Sequence, residues 1–66
     1  MPTASLRILV VEDQPLLLAR ISQLLQAEGH RVLEATSFHQ GGRLFDEQRP
    51  DMLLLDMSLP DDSGLE

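Results

Sequence analysis

The chain has 66 residues, no cysteine, and a formal net charge of −6 from eleven acids against five arginines and no lysine. Such a length admits one small domain. A domain of this size buries only about 60% of the surface its unfolded chain exposes, and no disulfide or thiolate-bound metal compensates. The charge offers no basic footprint for nucleic acid and repels anionic membranes. No basic segment leads into an apolar one at the N-terminus, and no apolar run is of membrane-spanning length, so a soluble cytoplasmic protein is expected.

Residues 1–6 are expected to be a flexible N-terminus, with a single domain over 7–66. "RILVV", Arg7 to Val11, is a compact run of branched apolar residues and reads as a strand buried on both faces. "EDQP" follows, and Pro15 suits the first turn of a helix, where its missing N–H costs nothing. From Leu16 to Glu28, Leu17, Ile21, Leu24 and Leu25, with Leu18 adjacent, form an amphipathic stripe, and Gly29 stops the helix.

"RVLEAT", Arg31 to Thr36, is the second strand. Ser37 caps a weaker helix in "SFHQGGRLFDEQR", where Gly41 and Gly42 each cost up to about 1 kcal/mol relative to alanine. Pro50 ends that helix. "DMLLLD", Asp51 to Asp56, is the third strand, "MSLPDDSG" is a loop, and "SGLE" reads as the opening of another helix. The order β-α-β-α-β with short connections predicts a parallel α/β sheet.

Sites in open parallel sheets form outside the carboxyl ends of the strands. Two strands here end in acids: Glu12 and Asp13 after "RILVV", and Asp56 after "MLLL". If the strands are neighbours, three carboxylates converge at one rim. A pair of like charges about 4 Å apart repels by roughly 4 kcal/mol at an effective dielectric near 20. A hard divalent cation offsets this, and Mg2+ favours one or two carboxylates, waters and a phosphate oxygen. The cluster therefore predicts magnesium and phosphoryl chemistry, with Asp56 as a nucleophile that forms an aspartyl phosphate.

"ILVVEDQP" and "PDMLLLDMSLPDDSGLE", at this separation, resemble the receiver domain of two-component response regulators. The resemblance covers almost the whole chain but only the first half of the family's five-strand, five-helix fold. It implies the β-α-β-α-β half of a flavodoxin-like receiver fold, with strand order 2-1-3 and the two helices on opposite faces. It further implies that Asp56 is the phosphoacceptor, that Asp13 ligates Mg2+ directly, that Glu12 holds it through water, and that Ser58 offers its backbone carbonyl. The implied partner is a sensor histidine kinase. Glu12 stands where aspartate is commoner, and Gly41 and Gly42 stand where the family carries helix-favouring residues, which implies either fraying or unusually close packing. The hydroxyl residue and the lysine that the family carries on its fourth and fifth strands have no counterpart.

Other readings stand beside this one. Glu12 and Asp13 can serve as acids before a helix N-terminus, and Asp56 as a strand-end acid capping a loop. Asp61 and Asp62 read as solvated turn residues, His30 and His39 as surface or capping residues, and Met52 and Met57 as packing. A calcium loop lacks the alternating acids and central glycine, and a dehalogenase-type hydrolase would need a second aspartate where Ser58 stands. A magnesium-dependent phosphatase lacks a separate general acid. The alternative of a different class is an interaction module, in which the exposed edge of the third strand pairs with a second copy or another chain.

Overall fold

The computed structural model describes residues 5–55. The elements run β1 (Arg7–Val11), α1 (Pro15–Ala27), β2 (Arg31–Ala35), α2 (Phe38–Gln48) and β3 (Met52–Leu55). The strands form one parallel sheet in the order β2-β1-β3. Central β1 is buried on both faces, as its unbroken apolar run requires.

Alternation along β1 divides the core in two. Leu9 and Val11 face α2 and pack with Ala35, Leu33, Phe38 and Leu44. Ile8 and Val10 face α1 and pack with Leu18, Leu6, Ile21, Leu25 and Val32. The two helices thus cover opposite faces, as expected from the sequence.

The inward stripe of α1 differs from the one read in the sequence. Leu18 is buried, and Ile21 and Leu25 are half-buried, whereas Leu17 and Leu24 are 40% and 64% exposed. The fourth inward position is Ser22, a polar residue that breaks the apolar pattern. Its hydroxyl donates to Glu34 Oε2 at 2.6 Å, so burying it leaves no donor unsatisfied and ties α1 to β2. With leucine at both 17 and 18, a residue-type pattern gave two overlapping stripes, and the polar member hid the one that faces the sheet.

Local chemistry explains the helix ends. Pro15 opens α1, and the chain leaves it through Gly29 at φ 94°, a left-handed conformation that suits glycine. Ser37 Oγ accepts from the Gln40 N–H at 3.1 Å, and Gln40 Oε1 in turn accepts from the Thr36 N–H and hydroxyl. This reciprocal arrangement makes Ser37 the N-cap expected of it and adds Gln40 as its counterpart.

A clasp sets the register of β3. The Arg7 N–H donates to Asp51 Oδ2 at 2.8 Å, and the Asp51 N–H donates to the Arg7 carbonyl at 2.7 Å. The Arg7 guanidinium reaches the Arg49 carbonyl and Gln48 Oε1. Val11 then lies opposite Leu55 at the far end of the pair. All four β3 residues remain 37–45% exposed, and an open cleft of about 630 Å³ lies between β3 and α2, walled by Val11, Phe38, Phe45, Leu53 and Leu55.

Candidate functional site

The candidate site begins where β1 ends. Glu12 follows the last strand residue, and its N–H donates to the Ala35 carbonyl at 2.9 Å, so its backbone is fixed to the end of β2. Its side chain is 0% exposed. Glu12 Oε2 accepts from the Gln14 N–H at 3.0 Å. Gln14 is the N-cap of α1 and makes no side-chain cap of its own, so Glu12 shapes the turn into the helix. The helix-directed role of this acid is real, and it leaves a buried carboxylate at the carboxyl rim of the sheet.

Asp13 is half-buried in the same turn. Its Oδ1 is shielded from solvent and has no hydrogen-bond partner among the described residues. A carboxylate oxygen withdrawn from water without a donor is costly unless a cation takes it. Two adjacent carboxylates, one with such an oxygen, form an all-oxygen donor set suited to a hard divalent cation. Among the described residues no group of three metal-ligating side chains gathers. The other two predicted site residues, Asp56 and Ser58, lie outside the described residues, as do Met57, Asp61 and Asp62.

Of the two histidines, His30 accepts the Leu6 N–H through Nδ1 at 3.1 Å, a capping role at the start of β1. His39 is exposed on α2, on the rim of the large cleft. Gly41 is buried, and a Cβ built on it would stand 2.7 Å from Val11 Cγ2. Close packing, not fraying, therefore explains that glycine. Gly42 meets nothing within 4 Å, and no contact in the structure explains it. The sequence signal for the Gly41 contact was a glycine in mid-helix, which alone does not say which strand residue it admits.

A parallel α/β sheet with helices on both faces and an acid pair at the carboxyl end of its central strand belongs to the doubly wound class. Within that class, the chain belongs to the family of response regulator receiver domains, whose model matches residues 8–66, and so to the receivers of two-component systems. It is 39% identical over 59 residues to the transcriptional regulatory protein AfsQ1 of Streptomyces coelicolor, covering 89% of this chain and 26% of that protein. It is 33% identical over 60 residues to protein PilH of Pseudomonas aeruginosa, covering 91% of this chain and 50% of that one. The chain thus spans between about a quarter and a half of the length of these relatives.

Among solved structures, a response regulator receiver domain protein of Clostridium thermocellum superposes with a TM-score of 0.76 at 36% identity, over 82% of this chain and 44% of that one. The anti-anti-sigma factor PhyR of Bartonella quintana superposes at 0.83 over 91% of this chain and 25% of that one; at 24% identity, this likeness concerns the fold alone. The first bears out the half of a flavodoxin-like receiver fold expected from the sequence, as does the sheet order β2-β1-β3. Among the described residues no helix is long and apolar enough to cross a membrane.

Proposed function

We propose that residues 7–66 form the phosphoacceptor portion of a receiver, which takes a phosphoryl group from a sensor histidine kinase onto Asp56 in the cytoplasm. The observation that carries this reading is the register: β1 and β3 are parallel, and Val11 lies opposite Leu55. The next residue along each strand is an acid, Glu12 in one and Asp56 in the other. Neighbouring strands run about 4.8 Å apart, so acids continuing both would share one rim.

Glu12, Asp13, Asp56 and the Ser58 carbonyl would hold Mg2+, and the buried, unpartnered Asp13 Oδ1 is what makes the described half of that set fit. When bound, Mg2+ neutralises the negative charge of the acids and of the incoming phosphoryl oxygens. The Asp56 carboxylate attacks phosphorus, the P–N bond of the donor phosphohistidine breaks, and the imidazole leaves with the electron pair. Water later cleaves the resulting acyl phosphate, returning the carboxylate and inorganic phosphate. Glu12 serves twice, through its charge at the rim and by holding the Gln14 N–H so that the turn carrying Asp13 keeps its shape. The chain modifies itself in this cycle and acts as a switch, not as a turnover enzyme.

Incubation with a small acyl phosphate and Mg2+, read by intact mass, tests the proposal. The wild type is expected to gain one phosphoryl group and Asp56→Asn none. No gain on the wild type, or equal gain on both, would overturn it.

One observation favours a second reading. All four residues of β3 are apolar and 37–45% exposed, and they form an edge of the described sheet. Such an edge can take a further strand from a second copy or another chain, giving an interaction module. A folded monomer in sedimentation at high dilution would count against this reading.

A further inference from the structure

We propose that His30 is an acid-sensitive latch on the amino end of β1. Its imidazole holds the first rung of the sheet while Nδ1 carries no proton, and releases it on protonation. The latch lies at the opposite end of β1 from the acid rim and does not depend on phosphoryl chemistry.

Three elements meet at His30. Its backbone N–H donates to the Leu25 carbonyl in the last turn of α1 at 3.1 Å, and the next residue, Arg31, opens β2. Its ring reaches β1, where Nδ1 accepts the Leu6 N–H at 3.1 Å. The Leu6 carbonyl in turn accepts the Arg31 N–H at 2.8 Å. Leu6 is thus pinned through both of its backbone groups, once to backbone and once to a titratable ring. Its side chain packs against the cluster of Ile8, Val10 and Leu18 that joins β1 to α1.

Imidazole is the side chain whose ordinary charge change falls between about pH 5 and 8. A neutral ring keeps one nitrogen that accepts, whereas both nitrogens of the cation donate. A proton on Nδ1 sets a donor against the Leu6 N–H, and the bond is lost. The residue is half-buried, so protons reach it. The charged residues that border it are Glu28 at the end of α1, Arg7 next to Leu6 on β1, and Arg31 on β2. Asp51, beside β3, is taken up by the Arg7 N–H. Among the described residues no carboxylate pairs with the ring to offset the added charge. The loss is confined to one rung, because the ladders from Arg7 to β2 and from Ile8 to β3 do not use the ring. Mild acid therefore frees the chain at Leu6 and leaves the sheet beyond it paired.

The test is a titration of the isotope-labelled 66-residue chain from about pH 8 to about pH 5, followed by NMR. The Leu6 amide is expected to shift, and to lose several-fold in hydrogen-exchange protection, in a step that coincides with the ring signals of His30. The Val10 amide is expected to keep its protection. His39→Phe, which removes the exposed histidine of α2, should leave the Leu6 step unchanged. Asparagine carries an oxygen at the branch that Nδ1 occupies and accepts at every pH, so in His30→Asn the Leu6 amide should stay protected at the acid end. A Leu6 amide that does not follow the His30 step, or a step that survives in His30→Asn, overturns the latch. Equal loss at Val10 means that the whole sheet opens, and overturns it too. If His30→Asn does not fold, coincidence of the Leu6 and His30 steps in His39→Phe supports the latch, and its absence overturns it.

Discussion

Replacing Asp13 with asparagine separates the energetic cost of the acid rim from its use. The substitution keeps the side-chain shape, removes one charge beside buried Glu12, and removes the unpartnered carboxylate oxygen. Like charges about 4 Å apart repel by roughly 1 kcal/mol in water and about 4 kcal/mol at an effective dielectric of 20. Asp13 keeps solvent on one side, so the lower end applies, and the metal-free variant should be more stable than the wild type by about 1 kcal/mol. Mg2+ reverses the order. A ligand at about 100 times its dissociation constant adds about 2.7 kcal/mol to a protein that binds it only when folded. Without the Asp13 carboxylate that gain is lost, so the wild type should lead by roughly 1–2 kcal/mol in saturating Mg2+. Urea unfolding followed by far-UV circular dichroism, in EDTA and in Mg2+, reads both numbers. At a slope near 1 kcal/mol per molar urea, the first difference moves the midpoint by about 1 M and the second by roughly 1–2 M. An asparagine variant that is less stable in EDTA, or that gains as much from Mg2+ as the wild type, would refute the reasoning.

Three further outcomes are expected from the packing. Asp51→Ala should destabilise the chain by about 1–2 kcal/mol, since the Arg7 N–H loses a charged acceptor, while Asp51→Asn should recover most of that loss in the same urea assay. Gly42→Ala should stabilise by about 0.5–1 kcal/mol, because it fills empty space on a helix and replaces a poor helix former. A double-mutant cycle of Ser22→Ala and Glu34→Ala should return a coupling of about 1 kcal/mol. The larger value of a fully buried charged pair is not expected, because Glu34 is exposed and water can replace the serine.

The parts of the fold legible in the sequence are those dictated by local pattern. The branched apolar run at Arg7–Val11 admits a strand buried on both faces, Pro15 and Gly29 bracket α1, and Ser37 opens α2; each element forms there. Strand order and the division of the helices between two faces followed from parallel connectivity and the family resemblance, and both hold. The inward face of α1 was less legible. Composition does not distinguish Leu17 from Leu18, and the deciding residue, Ser22, is polar and is accommodated only because Glu34 reaches it from β2. The Arg7–Asp51 clasp joins residues 44 positions apart, beyond any local pattern. At the site, Glu12 and Asp13 were legible as strand-end acids, but the bond from the Gln14 N–H to the Glu12 carboxylate depends on how the turn closes.

The identity of the acids matters less to this site than the direction of β3. Were β3 antiparallel to β1, the residue after Leu55 would leave the sheet at the end where Arg7 begins, and Glu12 would have no acid neighbour across the strands. A short turn favours the antiparallel arrangement, whereas a parallel strand requires a crossover of a dozen residues or more. Helix α2 is part of that crossover, and through Gly41 it is also the element seated on the last residue of β1. The clasp at Arg7 and Asp51 fixes one end of the β1–β3 pair, and at the other end α2 approaches Val11 closely through Gly41. Both devices act on backbone position and carry none of the proposed chemistry. They act on how β1 and β3 lie against each other, and so bear on the proposal that the acid pair and Asp56 share a rim.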